Sequence, residues 1–184
     1  VSALLTVNAG STSLKLVTVA DDDTVVRHRD LAEAVAGPTP SAVVHRVVHG
    51  GHRDRAALVD DALVAELEAL TELAPLQQPP ALQAIRACRA QWPEVPHIAC
   101  FDTAFHRTIP PAASTYALPA HLRERLRVFG FHGLSHAWAS ARARDQLPGA
   151  RRVVVAHLGG GASLCAVLDG ASIDTTMGFT PLDG

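Results

Sequence analysis

Apolar and polar positions along this chain follow two rhythms. Ala3 to Val7 is an apolar run that reads as a buried strand. Asn8-Ala9-Gly10-Ser11-Thr12-Ser13 is a turn by composition, and Leu14 to Val19 alternates as a second strand. The pair predicts a hairpin with a polar, glycine-containing tip. Asp21-Asp22-Asp23 marks another turn, and Thr24 to His28 a third strand. Ala42 to His49 is apolar and β-branched and ends in Gly50-Gly51, which predicts a fourth strand. From Asp60 to Glu72 the spacing of Leu63, Leu67 and Leu70 is helical, with Asp60 or Asp61 as the cap. Pro79-Pro80 opens a second helix that runs to about Gln91. His97 to Phe101 reads as a short strand ending on Asp102, and Leu134 to Gln146 as a helix. Arg152 to His157 and Ala162 to Leu168 are strands around a Gly159-Gly160-Gly161 turn.

Strands alternating with helices define an α/β chain. The two glycine-bearing turns, after Val7 and after Leu158, each join two strands, so the hairpin recurs and points to two related halves. Thr180 to Gly184 is no element that closes a domain, and the chain is expected to be cut off there.

Composition narrows the function. Nearly half of the 184 residues are apolar (48%), enough for a buried core, and the net charge is only -2. Without a basic stripe, no nucleic-acid partner is expected. Lys15 is the only lysine; every other fixed cation is arginine. Cys88, Cys100 and Cys165 are widely spaced with no C-x-x-C pair, which predicts reduced thiols and a cytoplasmic location. No signal-peptide pattern flanks Val1 to Val7, and no apolar run reaches membrane-spanning length, so no membrane association is expected.

Several segments could carry chemistry. Asn8 to Lys15 offers hydroxyls, an amide, a glycine and a lysine, which suits a phosphate cradle as well as an ordinary hairpin tip. It lacks the second glycine of a Walker A loop, and its lysine lies on a strand. Arg46 projects from an apolar strand and needs an anionic partner, either Asp102 or a ligand. His45, His49 and His52 suggest a metal site at first glance; along one strand His45 and His49 share a face, but no third ligand is specified. Asp102 at the end of a buried strand is a reactive group or a helix cap. His132, bracketed by Gly130 and Gly133 ahead of a helix, should sit at that helix's N-terminus with a lowered pKa and an edge for an anion. Gly133-Leu134-Ser135-His136-Ala137 falls one glycine short of a hydrolase elbow, which leaves a serine hydrolase using Ser135 as a remote alternative. Gly159 to Gly161 permit close backbone approach to phosphates.

In this order, the stretches Asn8 to Lys15, His45 to Gly51, Phe101 to His106, Gly130 to His136, His157 to Ser163 and Asp174 to Gly184 resemble the acetate kinase family, within the actin-like ATPase superfamily. The resemblance implies the actin-like (ribonuclease H-like) α/β fold. It divides the chain into a first domain over residues 1–103 and the start of a second over 104–184, with the cleft between them. It implies ATP with Mg²⁺, a short carboxylate as acceptor, acetyl phosphate as product, and a homodimer when full length. Asn8 matches the magnesium-site asparagine. Ser11, Ser13 and Lys15 match phosphate-binding positions, and His157, Leu158, Gly159, Gly160 and Gly161 match the second phosphate loop. Arg46 matches the carboxylate-holding arginine. Val48, Leu76, Phe131 and Pro181 match the pocket for the acetate methyl group. Asp102 and His132 match the catalytic aspartate and histidine.

Departures accompany the match. Gln77 stands where the family carries a histidine, Gly160 where it usually carries asparagine, and the stretch between Lys15 and Arg46 is short. The family's chains are about twice as long, and the other half would bring a second arginine, the adenosine pocket and a glutamate near the metal. The fragment alone is therefore expected to be inactive. Propionate or butyrate kinase, or an anion-binding remnant without activity, are the alternatives.

Overall fold

A computed structural model describes residues 2–10, 13–123 and 126–183. In chain order the elements are strands β1 (Ala3–Ala9), β2 (Leu14–Ala20) and β3 (Val25–His28), helix α1 (Leu31–Val35), strands β4 (Ala42–Val47) and β5 (Ala57–Leu58), helices α2 (Asp61–Ala69) and α3 (Gln78–Gln91), and strand β6 (His97–Phe101). Helices α4 (Pro111–Ser114), α5 (Ala120–Arg123) and α6 (Gly133–Gln146) follow, then strands β7 (Arg152–Leu158), β8 (Ala162–Leu168) and β9 (Ala171–Thr175). Short 3₁₀ turns occupy Thr71–Leu73, Ala104–Thr108 and Pro181–Asp183. The chain divides into two compact units: Val1–Val47 with Ala56–Cys100, and Val48–Arg55 with Phe101–Gly184.

The first unit is a six-stranded sheet in the order β3-β2-β1-β4-β6-β5. Strand β1 pairs antiparallel with β2 and parallel with β4. Alternation along β1 sends Leu5, Val7 and Ala9 inward, where Leu5 and Val7 meet Leu16, Val43, Cys88 and Trp92 in the core. Helix α3 covers this face; its buried Ala81, Leu82, Ile85 and Cys88 recur at helical spacing, and prolines occupy its first turn. Asp60 caps α2 by accepting from the Leu63 amide at 2.7 Å.

The second unit carries the antiparallel sheet β7-β8-β9. Strands β8 and β9 are joined through Asp169 and Gly170, both at positive φ (52° and 88°), the backbone of a tight two-residue hairpin. Inward-facing Val155, Cys165 and Val167 form its core with Phe105 and Ala139 against them. The outer face of β7 and β8 exposes Val154, Leu158 and Leu164. The Val48–Arg55 segment is fastened to this unit where the Gly50 amide donates to Thr103 Oγ1 at 3.0 Å. Gly50 packs so tightly on the Phe101 ring that any side chain there would overlap it.

Most expected elements occur where the sequence places them. The fourth strand is the main difference: it stops at Val47, so His45 and His49 lie in different units and share no strand face. The helix from Asp60 ends at Ala69 and continues as a 3₁₀ turn.

Candidate functional site

In the first unit, sheet register assembles a polar row. Asn8 is paired with Lys15 across β1–β2 and with Arg46 across β1–β4, so the three side chains lie side by side on one face. Their strand neighbours Val7, Leu16 and His45 are buried on the other face. Arg46 Nη1 donates to Asn8 Oδ1 at 3.0 Å, and both residues are half-buried. Lys15 is exposed. The row thus presents two cations around one amide. Ser13 is exposed beside it, and its carbonyl accepts from the Gly10 amide at 2.8 Å. Ser11 lies outside the described residues. Leu76 is 67% exposed, just ahead of α3, whose N-cap is Gln77. Gln78 is fully buried and donates to the Leu67 carbonyl at 3.2 Å.

His45 is structural. The Trp92 carbonyl can only accept, so His97 carries its proton on Nε2, 3.1 Å away, and its Nδ1 accepts from His45 Nε2 at 3.1 Å. Burial, and then His97, push the His45 pKa down to about 3. Among the described residues no three His, Cys, Asp or Glu side chains form a metal cage. Asn8 is the lone matched metal residue and supplies one amide oxygen. That oxygen accepts from Arg46 Nη1 and is therefore engaged by a cationic side chain in this structure.

The second unit brings the histidines together. His132 is the N-cap of α6 and adopts a left-handed conformation (φ 57°), uncommon for a residue with a side chain. Its position is locked from below: the Gly133 amide donates to the Asp102 carbonyl at 2.9 Å, and a Cβ on Gly133 would fall on that oxygen. The buried Asp102 follows directly on β6. The His132 and His157 rings stack with centroids 4.0 Å apart and planes inclined by 20°. Nδ1 of His132 lies 2.9 Å from Ser163 Oγ, and Nδ1 of His157 lies 2.9 Å from Ser135 Oγ. Both rings turn their Nε2 edges toward Gly159–Gly161: a Cβ on Gly161 would stand 3.8 Å from His132 Nε2, and one on Gly159 3.5 Å from His157 Nε2. The turn closes through Gly159 N–H to the Gly161 carbonyl at 3.1 Å, and Gly160 opens onto empty space.

Supporting groups surround this pair. His136 Nε2 is 2.9 Å from the same Ser163 Oγ, and burial followed by its histidine neighbours lowers its pKa to about 4. His106 donates from Nε2 to the Phe131 carbonyl at 2.9 Å, so its Nδ1 accepts from Ser172 Oγ at 2.9 Å. Burial is the main cause of its lowered pKa. Val48 and Phe131 are buried; Pro181 is half-buried in the last 3₁₀ turn. Ser163 and His136 each close a segment that carries the family resemblance, yet nothing in the sequence assigns them a role. Their pairing depends on a β7–β8 register that sets His157 opposite Ser163, which no local pattern encodes.

The architecture and the glycine hairpins are those of the actin-like ATPase fold, in its carboxylate-kinase form. A propionate kinase structure from Francisella tularensis superimposes with a TM-score of 0.90 at 33% identity, over 100% of this chain and 59% of that one. The family model described as the acetokinase family matches residues 38–184, and the chain belongs to that family. The acetate kinase of Nitrobacter hamburgensis is 51% identical over 150 residues, 79% of this chain and 37% of that protein. That of Leifsonia xyli is 51% identical over 149 residues, covering 78% and 38%. The chain therefore matches well under half the length of these relatives.

Proposed function

We propose that the whole protein transfers the γ-phosphoryl group of ATP to a short-chain carboxylate, with acetate as the first substrate to test and acetyl phosphate as product. The observation that carries this reading is the stacked His132–His157 pair, whose Nε2 edges face an open glycine turn. Imidazole edges beside exposed backbone suit the oxygens of a phosphate chain. The reading assigns Gly159, Gly160, Gly161, Leu158 and His157 to that chain, with Lys15, Ser11 and Ser13 as further phosphate contacts. It assigns residues 1–103 to a first domain and 104–184 to the start of a second.

Acetate is ionised at neutral pH, so no base is needed. A carboxylate oxygen forms the new bond to phosphorus as the bond to the ADP oxygen breaks, and no proton moves. The obstacle is repulsion between anions, met by alignment and positive charge. Arg46, with a planar fork, holds the carboxylate; Val48, Leu76, Phe131 and Pro181 receive its alkyl end. His132 stabilises the transferring group. Asp102 organises the site. Magnesium bound with ATP near Asn8 would screen the phosphate charges. We extend the proposal to a cytoplasmic homodimer. The test follows label from γ-phosphorus-labelled ATP in the gene product at the length of its relatives. Label trapped with acetate, in a product that hydroxylamine converts to a hydroxamate, is the expected result; label released only as inorganic phosphate would overturn it.

A further inference from the structure

We infer that Ser163 and His136 are positioning residues that hold His132 in the tautomer protonated on Nε2, the edge beside the glycine turn. The inference deepens the proposed role of His132 and rests on that reading for its purpose, though not for its test.

Ser163 has one hydroxyl hydrogen and two ring nitrogens at 2.9 Å, His132 Nδ1 and His136 Nε2. A hydroxyl that accepted from both rings would bury its own hydrogen with no third acceptor among the described residues, so Ser163 donates to one ring and accepts from the other. In the first order, His136 Nε2–H donates to Ser163, and Ser163 donates to His132 Nδ1. Both rings then carry their proton on Nε2. In the second order every bond reverses, and both rings carry it on Nδ1.

His136 decides between them. It is fully buried, and among the described residues its Nδ1 has no hydrogen-bond partner. The first order leaves a bare ring nitrogen there. The second buries an N–H with nothing to receive it, which is the rarer and costlier state. Its lowered pKa keeps it neutral, so it has a single proton to place. His106 shows the arrangement independently in the same unit: the Phe131 carbonyl fixes its proton on Nε2, and Ser172 donates to Nδ1.

The consequence is chemical. A histidine protonated on Nδ1 would aim a lone pair at an arriving phosphoryl oxygen. The Ser163–His136 chain instead makes His132 a donor at Nε2 without requiring it to be charged. Ser163 is well placed to do so because β8 holds it opposite His157, buried on the inner face of the sheet.

The test is ¹⁵N nuclear magnetic resonance of the histidine-labelled 184-residue chain at neutral pH, with His132 and His136 assigned by loss of signal in His132→Asn and His136→Asn. The expected spectrum shows Nδ1 of both rings in the unprotonated range and Nε2 in the N–H range. Protonation of either ring on Nδ1 would overturn the inference, and the wild-type spectrum alone decides the matter. In Ser163→Ala, His132 should lose its single tautomer and average between two; a His132 still held wholly as Nε2–H would remove Ser163 from the role. The readout involves no turnover, so failure of the kinase reading leaves it intact.

Discussion

Arg46 and Lys15 flank Asn8 in one register row, but their chemistry differs. A guanidinium matches a carboxylate with two parallel bonds; an exposed ammonium acts on phosphate as a point charge. Arg46→Ala should therefore raise KM for acetate strongly, while Lys15→Ala raises KM for ATP. Initial rates with each substrate varied in turn check this, and an Arg46→Ala enzyme with unchanged acetate dependence would remove the carboxylate role. At Gly133 the constraint is steric. Its missing Cβ leaves room for the Asp102 carbonyl, whose bond to the Gly133 amide seats the start of α6. Gly133→Ala must displace one or the other, and overpacking of this kind costs about 1–3 kcal/mol. Urea unfolding should show a lower midpoint at unchanged slope.

The β7–β8 hairpin concentrates the glycines, yet their demands differ. None of Gly159, Gly160 and Gly161 is at positive φ, and a Cβ at Gly160 would meet nothing within 4 Å. Gly160→Asn should thus leave stability within about 0.5 kcal/mol of the parent, as for an open surface position. If the turn receives phosphates, the new side chain should shift KM for ATP and spare KM for acetate. Equal shifts in both would show that the turn does not discriminate. This hairpin is legible in the sequence because apolar alternation and three glycines mark it directly. Helix α3 is equally legible from its two prolines and its spacing. Strand β9 forms no part of the expected pattern: it is short, and its polar Asp174 and Thr175 obscure the alternation. Strand β5 is two residues long and owes its existence to pairing with β6, a tertiary cause. The same holds for the site. His132 at a helix start can be read locally, whereas the Lys15–Asn8–Arg46 row and the serine-bridged histidines arise from register between distant strands.

Across the whole molecule, several histidines are buried as neutral rings. Burial is the first cause of low pKa values at His45 (about 3), His49 (about 4) and His136 (about 4), against 6.5 for an ordinary histidine. The unfolded chain binds protons at these sites first, so protonation favours unfolding. Their contribution is complete above about pH 6.5 and is lost as pH falls toward about 4. Each costs at most about 1.4 kcal/mol per pH unit in that window, so three together can consume much of a domain's stability. The melting temperature should fall steeply between about pH 6.5 and about pH 5; equal values at the two ends of that range would show that these rings are not held neutral.

The central claim is that His132 serves phosphoryl transfer to a short carboxylate. The most direct measurement is the initial rate of hydroxamate formation from ATP and acetate, with hydroxylamine as trap, across a range of acetate concentrations. It compares the gene product at the length of its relatives with its His132→Ala variant. The account predicts Mg²⁺-dependent product from the parent, and in the variant a kcat lower by about 10²-fold or more, with KM for acetate little changed. A folded parent that yields no hydroxamate, or a variant that keeps the parental kcat, would contradict it.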